Sequence, residues 1–250
     1  MPSMHIIVVE GDTPSVIQHN RAQGQRTNSQ RYCDALMAID PALALGRVEP
    51  YRDSQAVIPP GVQGVVFTGS GVEFSVDAPD AEPLRQMMEQ AFAAGIPVLG
   101  SCNGMQLAAV VLGGRVGPSP NGFELGLARN IRLTEAGARH ALHAGRTRPF
   151  SAPCIHRDEV RSLPTGAVVT AFNDHSPVQA MVYESDGVRF WGMQYHPEIA
   201  PTEIATIVAS DGLFAGGAHL ADELRAAEAA DDDLTPHRRG LELRHWLASL

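Results

Sequence analysis

A short apolar run, Ile96-Pro97-Val98-Leu99, ends in Gly100-Ser101-Cys102-Asn103-Gly104 and passes straight into a helical-looking run, Met105 to Leu112. This stretch constrains the fold more than any other. It demands a strand, a tight reversal and a helix in succession, and the two glycines allow the turn and the close packing such a reversal forces. Cys102 is thereby held at the apex, at a helix N-terminus. Aligned N–H groups and the positive end of the helix dipole both favour a thiolate there, the reactive form of cysteine. Read alone, the stretch also fits a structural cysteine buried between glycines.

A second motif, Trp191-Gly192-Met193-Gln194-Tyr195-His196-Pro197-Glu198, lies downstream. A cysteine nucleophile needs a base, and the base needs an orienting group. Pro197 favours extended backbone before it, and in extended chain residues i and i+2 project to the same side. His196 and Glu198 are therefore expected to meet, the carboxylate fixing the imidazole tautomer. Together the motifs predict a Cys102–His196–Glu198 triad.

The residues Gly100 to Gln106 and Gln194 to Glu198 resemble the Gly-x-Cys-x-Gly-x-Gln elbow and the Gln-x-His-Pro-Glu strand of the class I (triad) glutamine amidotransferases. Met105, between Gly104 and Gln106, is most similar to the GMP-synthetase-type branch. Phe67-Thr68-Gly69-Ser70-Gly71 lies where that family has its glycine-rich oxyanion loop. Ile155 to Val160 resembles its His-x-Asp-x-Val segment, and Ala171 to Ala180 the strand-turn-strand before the triad histidine. The resemblance covers roughly residues 60–200 in the correct order.

What the resemblance implies is a flavodoxin-like α/β fold and hydrolysis of a γ-carboxamide through a γ-glutamyl thioester, with no cofactor and no metal. It places the glutamyl α-groups near the glycine loop, Gln106 and His156. The backbone N–H of Asn103 is one expected oxyanion donor, and an N–H of Gly69, Ser70 or Gly71 is the other. Many relatives place Pro after the second small residue of the loop. Here Gly71-Val72-Glu73-Phe74 stands instead, one residue longer, so the loop donor stays open. Glu73 either pairs with the substrate's α-ammonium or is a solvated carboxylate. His175 is assigned to a turn, and Cys33 and Cys154 to structural roles.

The remainder of the chain agrees with an α/β class. His5 to Val9 is a continuous apolar run suited to a buried parallel strand. Residues 10–28 are polar and read as a long loop, over the active site or simply at the surface. Ser29 is expected to cap a helix through Ile39, and strands are expected at 47–51 and 64–67. Leu84, Met87, Met88, Ala91 and Phe92 repeat with helical spacing over 83–94. Such alternation predicts a mostly parallel open sheet with helices on both faces. Residues 114–196 change to short strand runs, which predicts antiparallel additions at one sheet edge. Segment 200–250 returns to helix. Thr235-Pro236 forms a cap with a first-turn proline, and the apolar face of Leu243, Trp246, Leu247 and Leu250 is expected to pack on the body. No domain boundary interrupts 1–250, so a single domain is expected.

The net charge of −9 argues against a phosphate-backbone partner, so no nucleic acid is expected. No apolar run is long enough to span a membrane. Three cysteines make no disulfide framework, and a reducing, cytoplasmic setting fits them. No Cys-x-x-Cys spacing supports zinc. Nor is there a Walker-type loop, so an ATP-using synthetase step is not expected within the chain. The favoured reading is a freestanding γ-glutamyl amide hydrolase acting on a small-molecule substrate. The alternative is a glutaminase subunit feeding ammonia to a separate synthetase, and a third reading is a non-catalytic binding protein on the same fold.

Overall fold

A computed structural model describes residues 3–210 and 217–250. The chain begins with β1 (His5–Val9), α1 (Pro14–Ala22), α2 (Asn28–Ile39), β2 (Ala44–Val48), β3 (Gly64–Phe67), α3 (Glu82–Ala93), β4 (Val98–Ser101) and α4 (Asn103–Val111). There follow β5 (Arg115–Pro118), β6 (Glu124–Leu133), α5 (Glu135–Arg139), β7 (Phe150–His156), β8 (Asp158–Ser162), β9 (Val168–Phe172), β10 (Ala180–Ser185) and β11 (Val188–Met193). The C-terminal part holds α6 (Pro201–Ser210), α7 (Gly217–Ala230), α8 (Pro236–Arg239) and α9 (Leu241–Ala248).

The main sheet runs β2-β1-β3-β4-β11-β10-β9-β6-β7. From β2 to β11 neighbouring strands are parallel, and from β10 to β7 they are antiparallel. The expected α/β class, the largely parallel centre and the antiparallel edge are all present. Successive residues of β1 face opposite sides, as the pleat requires. Ile6 and Val8 join Tyr32 and Leu36 of α2 and Leu243 and Trp246 of α9. Ile7 and Val9 join Leu84, Met87 and Met88 of α3 and Met105 and Ala108 of α4. Both strand faces are buried, which explains the uninterrupted apolar run in the sequence. The C-terminal apolar residues pack on the first of these clusters, as expected.

Three local expectations are corrected. Residues 10–28 are not one long loop, because α1 forms within them, capped by the Thr13 side chain with Pro14 in its first turn. Its single buried residue, Ile17, leaves no apolar stripe to read. The cap of α2 is Thr27, which forms a reciprocal capping box with Gln30, while the Ser29 N–H donates to the Glu10 carboxylate at 2.9 Å. The strand expected at 47–51 lies at Ala44–Val48. It pairs with β1 alone at the sheet margin and carries no fully buried residue, so it lacks an apolar signature.

Parallel register brings the chemistry together. Phe67 of β3 pairs with Gly100, and Met193 of β11 pairs with Ser101. The segments leaving the C-terminal ends of β1, β3, β4 and β11 therefore converge, the usual place for a site in an open α/β sheet.

Candidate active site

Cys102 sits between β4 and α4 with φ 49° and ψ −109°, a left-handed backbone rare for a residue with a Cβ. Its N–H donates to the Met193 carbonyl at 2.7 Å, which ties the elbow to β11. Glycine is required on both sides. A Cβ at Gly100 would lie 2.7 Å from the Gly104 backbone, and one at Gly104 would run into the Phe67 carbonyl. The Cys102 thiol points toward the Ile155 carbonyl, 3.7 Å away.

His196 and Glu198 meet as expected. Nδ1 of His196 lies 2.7 Å from Oε1 of Glu198, and both side chains are buried. The same oxygen accepts from Ser101 Oγ at 3.4 Å. Burial alone would lower the basicity of His196, but the Glu198 charge and hydrogen bonding with Cys102 and Glu198 lift its pKa to about 10. The ring therefore holds its proton at neutral pH. Its Nε2 makes no hydrogen bond of full geometry among the described residues, and the neighbouring Cys102 thiol adds to the rise in basicity. Behind the pair lies Tyr32, whose hydroxyl titrates well above its usual range through burial and the Glu198 charge.

The glycine loop is held from outside. The Asp12 carboxylate accepts the Gly71 N–H at 2.7 Å and the Ser70 hydroxyl at 3.0 Å through one oxygen. Its other oxygen accepts from Asn28 at 3.0 Å and Asn20 at 3.4 Å. Asn28 also donates to the Gly69 carbonyl at 3.1 Å. The Gly71 N–H is thereby already engaged by Asp12. Burial, with the neighbouring Glu10 carboxylate, lifts the Asp12 carboxyl to about 7. Gly69 packs against the Cε1 edge of the histidine: a Cβ there would lie 2.7 Å from His196 Cε1 and 3.6 Å from both ring nitrogens.

Cys102 and His196 line a cavity of about 560 Å³, within the usual range for small-ligand sites. Ser70, Gly71, Glu73, Asn103, Gln106 and His156 line it too, whereas Gly69 does not and instead packs against His196. Glu198 stands behind His196 instead. Gln106 Nε2 donates to the Asp158 carbonyl at 2.6 Å and to Gln194 at 3.2 Å, fixing the turn after β7. Glu73 is exposed at the rim, its carbonyl accepting from Arg157 at 3.3 Å.

His156 Nε2 lies 2.8 Å from the Glu124 carboxylate and Nδ1 3.1 Å from the Asp158 carbonyl. Glu124 also accepts from Asn173 and Gln179, each at 2.6 Å. Burial would raise the Glu124 carboxyl, but these bonds, His156 foremost, hold it below its ordinary range. Glu124, His156 and His175 offer ligand atoms within 4.8 Å of one another. The Glu124 oxygens are already engaged by neutral and histidine donors, so the cluster reads as a hydrogen-bond network bracing the cavity wall. His175 belongs to the turn, as expected.

Sequence reasoning did not find the far wall, where Asp12, Val16, His19 and Asn20 from the α1 region and Asn28 and Arg31 from α2 close the cavity. Thr13-Pro14 carries the same cap-plus-proline signal read at Thr235-Pro236, and would have revealed α1. Nothing in the sequence places α2 against His196.

The class I glutamine amidotransferase family model matches residues 48–215. A γ-glutamyl-L-1-hydroxyisopropylamide hydrolase from Pseudomonas sp is 33% identical over 213 residues, covering 75% of this chain and 72% of that protein. A glutamine-hydrolysing GMP synthase subunit of Methanocaldococcus jannaschii is 32% identical over 144 residues, covering 57% of this chain and 68% of that protein. The GMP synthase of Thermomicrobium roseum is 35% identical over 152 residues; the match covers 61% of this chain but 26% of that protein. Among solved structures, a glutamine amidotransferase from Thermotoga maritima superposes with TM-score 0.69 at 18% identity, over 98% of this chain and 97% of that one. The chain belongs to the class I glutamine amidotransferases, the family that its elbow and histidine strand resemble.

Proposed function

We propose that the protein hydrolyses the γ-amide of a γ-glutamyl derivative of a small amine, with Cys102 as nucleophile, His196 as proton carrier and Glu198 as the group that orients it. The observation that carries this reading is the cavity: besides Cys102 and His196 it is lined by residues of the α1 region and α2, room that a substituent on the leaving nitrogen would use. Release of ammonia needs no such space. The Pseudomonas relative, named for cleaving a substituted γ-glutamyl amide, supports the same reading.

In this mechanism Cys102 sulfur attacks the γ-carbonyl carbon. The resulting oxyanion accepts from the Asn103 N–H and from an N–H of the glycine loop, each donor contributing roughly 3 kcal/mol of barrier lowering. His196, which holds the proton given up by the Cys102 thiol, passes it to the departing nitrogen as the C–N bond breaks and the thioester remains. Water then attacks the thioester, His196 takes a proton from it, and glutamate leaves. The family resemblance gives Gln106 and His156 to the glutamyl α-groups, with Glu73 at the rim either pairing with the α-ammonium or staying solvated. No metal or cofactor takes part. The free cysteines agree with a reducing, cytoplasmic setting, and no helix among the described residues is long and apolar enough to cross a membrane.

Glutamate release by the purified protein alone, from glutamine and from γ-glutamyl alkylamides, tests this. Faster turnover of a substituted amide than of glutamine supports it. A second reading, a glutaminase subunit serving a separate synthetase, is favoured by the Methanocaldococcus jannaschii relative. It predicts poor activity on every amide until a synthetase is added.

A further inference from the structure

We propose that Asp12 is a positioning residue: as a carboxylate it clasps the glycine loop beside His196, and turnover falls when it takes up a proton; this rests on the hydrolase reading above. Asp12 lies between β1 and α1 and is 1% exposed. Protein donors fill both its oxygens. Oδ1 accepts the Gly71 N–H at 2.7 Å and the Ser70 hydroxyl at 3.0 Å; Oδ2 accepts the side-chain amides of Asn28 at 3.0 Å and Asn20 at 3.4 Å. A carboxylate offers about four lone-pair sites, so none is left for a ligand, and Asp12 acts on the loop. Asn28 carries the clasp further by donating to the Gly69 carbonyl at 3.1 Å. Gly69 leaves no room for a Cβ against His196 Cε1, so a displaced loop disturbs the proton carrier.

A protonated Asp12 carries a hydrogen that faces donors. The Gly71 N–H cannot accept it. Asn28 cannot turn its amide over, because its Oδ1 already accepts from Arg31 at 2.9 Å and its Nδ2 holds Gly69. The Ser70 hydroxyl can accept without its side chain turning over, for it stands 2.8 Å from the Gly11 carbonyl as well as 3.0 Å from Asp12. It has one proton for two acceptors. With Asp12 ionised, that proton serves Asp12. When Asp12 takes a proton from solvent, it donates to Ser70 Oγ, and the serine turns its own proton to Gly11. Oδ1 is then a hydroxyl oxygen and a weaker acceptor than a carboxylate, so the loop loosens at Gly71.

The charges around Asp12 bring this exchange into the neutral range. Burial is the main cause that lifts its carboxyl to about 7, and Glu10, just past β1, adds to it. The Gly71 and Ser70 bonds and the Arg31 charge on α2 pull the other way. Tyr51, after β2, feels the Asp12 charge, and the exposed His19 of α1 lines the same cavity. His196 holds its proton up to about 10, so a loss of rate near 7 is not its own.

The test measures kcat and KM across about pH 5 to 9 on whichever amide is cleaved best, glutamine included. The wild type should lose kcat on the acid side with a midpoint near 7, and KM should change little, because a loop that serves the oxyanion acts in the transition state. Asp12→Asn cannot titrate, so that limb should vanish, leaving a flat kcat about tenfold below the wild-type plateau, the usual worth of a hydrogen bond to a charged group. Ser70→Ala keeps the backbone N–H and the carboxylate but loses a donor that favours the ionised form, so its limb should move to higher pH; a side chain that merely packs would change the rate and leave the limb in place. A limb near 7 that persists in Asp12→Asn, or stays unmoved in Ser70→Ala, would overturn the assignment while leaving the hydrolase reading standing. Alkylation of Cys102 by a γ-glutamyl chloromethyl ketone reads the same limb without turnover. If the protein alone cleaves no amide, the hydrolase reading fails, and the alkylation profiles of the three proteins still decide on Asp12 by the same two signs.

Discussion

Gly69→Ala tests the placement of His196 together with the glycine loop that packs against it. Gly69 has no left-handed φ, so alanine can adopt its backbone. The added Cβ would lie 2.7 Å from His196 Cε1 and 3.6 Å from both ring nitrogens. Carbon atoms in good contact sit about 3.5 Å apart or more, so the ring or the loop must retreat by ~0.8 Å. The His196–Glu198 bond is 2.7 Å long and would stretch toward the limit of a hydrogen bond. A misplacement of about 1 Å costs on the order of a hundredfold in rate, so kcat should fall about 10- to 100-fold, or roughly 1.4–2.8 kcal/mol in barrier. Overpacking should lower stability by about 1–3 kcal/mol, leaving a folded protein. A comparison is built in: a Cβ at Gly71 would meet Val16 at 3.4 Å and Asp12 at 3.8 Å, ordinary contacts, so Gly71→Ala should cost far less. Steady-state glutamate release, with thermal unfolding of the same samples, reads both. A Gly69→Ala enzyme with kcat within about twofold of wild type would refute the assignment of His196 as a positioned proton carrier.

Other outcomes follow from particular groups. Cys102→Ala should lose turnover. Cys102→Gly should lose it too but be more stable than the alanine variant by about 1–2 kcal/mol, because glycine relieves the left-handed backbone at φ 49°; equal denaturation midpoints would contradict this. Glu198→Gln should keep reduced but measurable glutamate release, since the residue orients the base without accepting the proton; an unchanged rate would remove it from the triad. Arg146→Met should cost about 3–5 kcal/mol in urea unfolding, because it strands the buried Glu242 carboxylate that Arg146 grips through two bonds of 3.1 Å. Burial would raise the Glu242 carboxyl, but Arg146 and His143 hold it at about 2. The stability it contributes is thus fully present above about pH 4.5 and lost as pH falls toward 2. The wild type should lose more stability than Glu242→Gln across that window; parallel curves would refute the coupling.

The elbow and the histidine strand were legible because each is a local device. Cys102 needs only the strand before it, the helix after it and two glycines, and His196 meets Glu198 through the two-residue period of extended chain. The central strands were legible for the same reason: burial on both faces writes a continuous apolar run, as in β1. What stayed hidden is carried by distant pairings or by polar helices. Arg31, Asn28 and Asp12 look like ordinary polar residues until α2 is seen beside Gly69. Helix α1 buries one side chain and shows its existence only through Thr13-Pro14. Strands β5 and β8 form a separate two-stranded ribbon, with half-exposed residues in β5 that carry no clean alternation.

The chemistry itself is tested most directly by trapping the intermediate. The protein is mixed with a γ-glutamyl amide, quenched in acid within the first turnover, and examined by intact-protein mass spectrometry followed by peptide mapping. A mass increase of one γ-glutamyl group on the peptide holding Cys102, absent from Cys102→Ala, is the expected result. Turnover that proceeds with no such adduct, or an adduct on a different residue, would contradict a Cys102 thioester.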